Sequence, residues 1–127
     1  ENKEINHWFD SDGDFIGNMY YLMKDKVSFH NYEALENTWM LRVRHSDLKS
    51  LYEKYPEVER IARKYIELYY IENLKQVIDI KSLSAEIRYN NFVSKFGPLM
   101  QRIPQRHVAN YLSITQETLS RIKNKQR

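Results

Sequence analysis

Residues 103–127, IPQRHVANYLSITQETLSRIKNKQR, leave the chain little choice but two short helices with a tight connection between them. The first is expected over about 105–112. Pro104 stands at its opening turn, where a missing N–H costs nothing. Val108, Ala109 and Leu112 fall at i, i+1 and i+4 and line one stripe of that helix. The second is expected to open at Thr115, a good N-cap, with the acidic Glu117 in its first turn. Leu119 and Ile122 supply its buried face, while Gln116, Glu117, Ser120 and Arg121 point elsewhere. A short amphipathic helix, a turn and a second helix with a polar, arginine-bearing outer face make a helix-turn-helix.

Charge points the same way. Residues 97–127 carry Arg102, Arg106, Arg121, Lys123, Lys125 and Arg127 against Glu117 alone, a net +5 from six basic groups and one acidic. The whole chain is only +3, which leaves −2 for residues 1–96. A basic module on a mildly acidic body is the electrostatic footprint of phosphate-backbone binding, so double-stranded DNA is the partner it fits. A solvated basic tail would carry the same charge; the two-helix pattern is what favours DNA.

The second of these helices, Thr115-Gln116-Glu117-Thr118-Leu119-Ser120-Arg121, follows the pattern (S/T)-x-E-T-(L/V)-(S/G)-R, and Ser84-Ala85-Glu86-Ile87-Arg88-Tyr89 precedes the module. In both segments the chain resembles the C-terminal half of Crp/Fnr-family transcription regulators, with residues 103–122 as the hallmark and a weaker likeness over the remainder. The resemblance implies an α+β fold in three parts. Residues 1–55 would be the C-terminal part of a cyclic-nucleotide-type β-roll, 56–83 a dimerisation helix and hinge, and 84–127 the helix-turn-helix. It implies a homodimeric transcription regulator on an inverted repeat, with RNA polymerase as a further partner. The competing reading is a dimeric effector- or protein-binding module that does not touch DNA.

Residues 1–45 read as β. Ile5-Asn6-His7-Trp8-Phe9 is a short strand pattern ending at the Asp-Ser-Asp-Gly-Asp turn of residues 10–14. That turn is similar to the start of a calcium loop, but the position six after Gly13 is Met19, where the loop needs Glu. A hairpin turn is expected instead. Residues 19–23 are apolar and ambiguous. Residues 27–35 alternate apolar and polar, a half-buried strand, and residues 38–43 read as another. These strands are too few to close a barrel or sandwich, so the chain is expected to begin inside a β-domain.

From Ser46 the character changes to helix. Ser46 is expected to cap a short helix that stops before Pro56. A long helix then runs over about 56–81, roughly 39 Å at 1.5 Å per residue. Its apolar positions include Val58, Ile61, Tyr65, Leu68, Tyr69, Leu74, Val77 and Ile78 at near-heptad spacing, while Ala62, Ile66, Tyr70 and Ile71 widen the apolar surface. So wide a surface needs two partners, and a twofold mate is the economical second one, with Ile61, Tyr65, Leu68 and Ile78 at the dimer seam. Residues 82–84 break the pattern and suggest a hinge at about Leu83. Ser84 caps a helix over 85–96, and Gly97-Pro98 ends it.

Little in the chain suggests catalysis or a cofactor. No cysteine is present, which excludes a disulfide framework, a Cys-ligated iron–sulfur cluster and thiol redox sensing. His7, His30, His45 and His107 lack metal spacing, and no nucleophile elbow or phosphate-binding glycine loop occurs. The reading is therefore not an enzyme, with no cofactor and no metal. No run of 18 apolar residues and no signal peptide is visible, so the expectation is no membrane partner and a cytoplasmic location.

The resemblance also implies an effector pocket. The family grips ribose and cyclic phosphate with a Gly-Glu and an Arg-Ser about ten residues later. Here Gly17 matches the glycine, Asn18 replaces the glutamate, and Ser28-Phe29 stand near the place of Arg-Ser. Without the arginine the charge-assisted bonds to a cyclic phosphate are lost, so the expectation at Gly17, Asn18 and Ser28 is a pocket either degenerate or tuned to an unidentified, non-cAMP effector.

In the recognition helix, Gln116, Glu117 and Arg121 sit at i, i+1 and i+5, facing away from Leu119 and Ile122. By resemblance the family's three base-reading positions fall on these residues. Their chemistry suits guanine for Arg121, a cytosine amino group for Glu117 and adenine for Gln116. Arg106, Thr115, Thr118 and Lys123 are the expected phosphate contacts. Ser113 stands where the turn normally has glycine, so a left-handed backbone there would be strained. A β-hairpin wing is not expected after the recognition helix.

Overall fold

The structure is a computed structural model and describes residues 5–24 and 26–125. Six helices follow one another among the described residues: α1 (Met19–Lys24), α2 (His45–Lys54), α3 (Pro56–Ser82), α4 (Ala85–Phe96), α5 (Gln105–Tyr111) and α6 (Gln116–Lys125). A single 3-10 turn, Gly97–Leu99, joins α4 to the loop before α5. The chain forms two compact units. One is the chain up to Ser11 together with everything from Leu74 onward; the other is Asp12–Asn73.

The expected α+β fold is wrong. No strand occurs among the described residues, so residues 1–55 do not supply a partial β-roll. The reason is that hydrophobic alternation prepares a segment for a half-buried face but cannot supply the ladder partner whose N–H and C=O groups make it a strand. Residues 27–35 and 38–43 run without regular structure, and Val27, Phe29, Trp39 and Leu41 lie almost wholly exposed. Residues 19–23 fall within α1. A turn does form at Asp12-Gly13, but with no strand on either side it is not the expected hairpin; Gly13 takes a φ of 89° there, which a side chain would strain.

The helical half follows its caps closely. α3 starts at Pro56, which needs no N–H partner in the first turn, and carries Glu57 and Glu59 beside its positive end. Ser84 is the N-cap of α4, its Oγ accepting from the Ile87 N–H at 3.3 Å. α2 begins two residues earlier than expected. Arg44 holds its N-cap position without a side-chain bond, and Ser46 Oγ donates to Asp47 instead.

The core lies in the unit that contains α4, α5 and α6. Tyr89, Phe92 and Phe96 of α4 meet Ile103, Val108, Ala109, Leu112, Leu119 and Ile122. Leu119 is 1% exposed and Val108 2%, so α6 is seated by its apolar stripe on the other two helices. Residues 5–9, expected as a strand, cross this core instead. The Phe9 ring stands 5.9 Å from Phe92, 5.9 Å from Phe96 and 5.4 Å from Tyr111. Lys95 lies 4.3 Å above the Trp8 ring, and Gln76 donates to the His7 carbonyl at 3.2 Å. In the other unit α2 and the α3 residues up to Asn73 bury no side chain fully.

Candidate nucleic-acid interface

The turn between α5 and α6 is a Schellman cap. The Ser113 N–H donates to the Asn110 carbonyl at 2.9 Å, and the Ile114 N–H to the Ala109 carbonyl at 3.0 Å. Ser113 itself is left-handed, with φ at 54°, so the position does carry the expected strain. Thr115 then caps α6, its Oγ1 accepting from the Thr118 N–H at 3.2 Å. Local chemistry therefore fixes both ends of the connection. The buried Leu119 and Ile122 set the rotation of α6 about its axis.

That rotation leaves Gln116, Glu117, Ser120 and Arg121 exposed together on the outer face of α6. Thr115 is exposed too, whereas Thr118 and Lys123 are half-buried. The Arg121 guanidinium reaches back along the helix, Nη2 donating to Thr118 Oγ1 at 3.2 Å, and Thr118 Oγ1 lies 3.0 Å from Thr115 Oγ1. Arg106 is exposed on α5, and its Nε donates to Nε2 of the buried His107 at 3.2 Å. Arg127, counted with the basic residues, lies outside the described residues.

Three contributors to this module escaped the sequence reading. Arg88 of α4 donates to the Leu83 carbonyl at 2.6 Å and to the Leu112 carbonyl at 3.2 Å, closing the ends of α3 and α5 with one side chain. Asn6 donates its backbone N–H to Asn110 Oδ1 at 2.7 Å, and its amide lies 2.8 Å from His107 Nδ1. Phe9 completes the aromatic cluster. The contacts of Asn6 and Phe9 span about a hundred residues, and no local pattern announces them. Arg88 gave a weak signal, a lone arginine in a helix that buries its neighbours Tyr89 and Phe92.

On α3, Ile61, Leu68 and Ile78 are 60%, 63% and 60% exposed, as is Ile71 at 58%. Tyr65 differs: it is half-buried, its ring lies 4.8 Å from Phe15 and its hydroxyl accepts from the Phe15 N–H at 3.0 Å. Gly17 is exposed and Asn18 and Ser28 half-buried. Asn18 and Ser28 both bond to His30, through its ring at 3.1 Å and its backbone N–H at 3.0 Å. With no β-roll around them, these three residues have lost the enclosure that an effector pocket was expected to have.

Among the described residues, no group of three His, Cys, Asp or Glu side chains could hold a metal ion, and no helix is long and apolar enough to cross a membrane. Comparison with protein-family models, curated proteins and solved structures finds no match to this chain.

Proposed function

We propose that this chain is a sequence-specific, double-stranded-DNA-binding transcription regulator that acts as a dimer on an inverted repeat. The observation that carries the reading is α6: one face is locked into the core by Leu119 and Ile122, and the opposite face offers Gln116, Glu117 and Arg121 together. A helix held so rigidly can lay three side chains against base edges in a major groove. The similarity of residues 103–122 to the Crp/Fnr recognition segment supports the same reading. Arg106 and Lys123 supply phosphate contacts beside it.

The dimer rests on α3. Ile61 and Leu68 share one heptad position and Ile71 and Ile78 a second, three residues on, and their exposure suits a second copy of the same helix. A twofold pair places two recognition helices about 34 Å apart, one duplex turn.

Selection of bound duplexes from a random pool tests the proposal. An inverted repeat should be enriched. Arg121→Ala should then cost about 1–3 kcal/mol at one base pair and relax the preference there, while Lys123→Ala should weaken all duplexes alike and flatten the salt dependence. Equal loss on specific and random duplexes for Arg121→Ala would make Arg121 a phosphate contact and end its base-reading role.

A further inference from the structure

We infer that Thr118 is a positioning residue for Arg121, fixing the guanidinium for base reading before DNA arrives. The inference rests on the DNA-binding reading above and revises one part of it, the expectation that Thr118 holds a phosphate. Thr115, Thr118 and Arg121 stand three residues apart on α6 and form one continuous chain. The Thr115 and Thr118 hydroxyl oxygens are 3.0 Å apart, and Arg121 Nη2 donates to Thr118 Oγ1 at 3.2 Å. The origin of the chain is itself anchored, because Thr115 Oγ1 accepts the Thr118 N–H as the helix cap. An exposed arginine that would otherwise sample many rotamers is thus tied to the capped first turn of the helix.

Proton counting sharpens the role. The two hydroxyls hold two protons, and one of them is committed to the bond between the two threonines. A single O–H remains to face outward, so the pair can donate to one phosphate oxygen, not two. A phosphate bound there selects the direction of the whole chain. If Thr118 donates to Thr115, the outward proton belongs to Thr115; if Thr115 donates, it belongs to Thr118. In both arrangements Thr118 Oγ1 keeps a lone pair for Arg121, so backbone docking and base reading proceed without competing. The guanidinium has five N–H donors and uses one on Thr118, which leaves four for the two acceptors of a guanine edge.

Thr118→Val isolates this role. Valine keeps the branched shape and the backbone N–H, so the Thr115 cap and the packing of Leu119 remain. Only the hydroxyl is lost. Thr118→Ser restores the hydroxyl and serves as the rescue. In the free chain, 15N relaxation of the Arg121 side chain should show a restrained guanidinium in the wild type and in Thr118→Ser, and a freely rotating one in Thr118→Val. On the duplex enriched from a random pool, Thr118→Val should lose about three- to tenfold of the preference at the base pair that Arg121→Ala relaxes, the worth of one hydrogen bond. Thr118→Ser should keep it. Full preference in Thr118→Val, or an unchanged Arg121 relaxation, overturns the positioning role and leaves the DNA reading standing. So does a uniform loss on all duplexes with a flatter salt slope, which would return Thr118 to phosphate binding. A wild-type chain that enriches no sequence sinks the DNA reading itself, and the positioning role with it.

Discussion

Ser113→Gly should stabilise the helix-turn-helix. Ser113 occupies the left-handed position of the Schellman cap at φ 54°, where an L side chain crowds the following carbonyl at a cost of about 1–2 kcal/mol. Glycine removes that cost but frees the unfolded chain, which returns about 0.5–1 kcal/mol in the other direction. The net gain is about 0.5–1 kcal/mol, or a midpoint rise of roughly 2–8 °C for a unit of this size. The two cap bonds, from Ser113 to Asn110 and from Ile114 to Ala109, use backbone atoms only and survive the change. Urea unfolding followed by tryptophan fluorescence suits the measurement. Trp8 packs beside Lys95 of α4 and reports on this unit, whereas Trp39 is fully exposed and contributes a constant background. Ser113→Ala is the control, since it keeps the Cβ and should gain nothing. A glycine variant whose midpoint equals or falls below that of the wild type, at unchanged slope, would refute the strain reasoning.

Phe9→Ala should destabilise the unit of α4, α5 and α6 by about 2 kcal/mol, less than a fully buried phenylalanine because Phe9 is only half-buried. No change in the urea midpoint would mean that residues 5–9 do not pack on this core. Leu68→Asp should leave the chain monomeric in sedimentation at tens of micromolar, because a charge at the α3 seam would be buried without a partner. A wild-type chain that sediments as a monomer under those conditions would remove the dimer from the proposal.

The helices were legible because their signals are local. Pro56, Ser84, Pro104 and Thr115 each mark a start by the atoms they offer within one turn, and α3, α4, α5 and α6 begin at or next to them. Val108, Leu112, Leu119 and Ile122 were likewise readable as the buried side, since a stripe of period 3.6 fixes a face. Ser113 was readable too, as the non-glycine at a turn that needs one. The β segments failed for the opposite reason. A strand is a relation between two stretches, and alternation in residues 27–35 and 38–43 describes only one side of it. Residues 5–9 show how the same pattern is satisfied otherwise: Phe9 found an aromatic cluster on helices, which no window of nine residues reveals. Tyr65 was assigned to the dimer seam by its spacing, yet a neighbour fifty residues away, Phe15, occupies its ring.

The Arg88 side chain has a consequence for how α6 can be aimed. Residues 82–84 read as a swivel, yet Arg88 ties the last carbonyl before that swivel, Leu83, to the closing carbonyl of α5, Leu112. Asp79 and Asn91 approach across the same corner at 3.5 Å. Changing the angle at this joint costs those bonds. In the proposed dimer that would make the spacer between half-sites a ruler. Each extra base pair turns the far half-site by about 34° and moves it by about 3.4 Å along the duplex. On the DNA-binding reading proposed above, a braced module would follow such a change only by surrendering the Leu83 bond, so operators would be told apart by their length as well as by their letters.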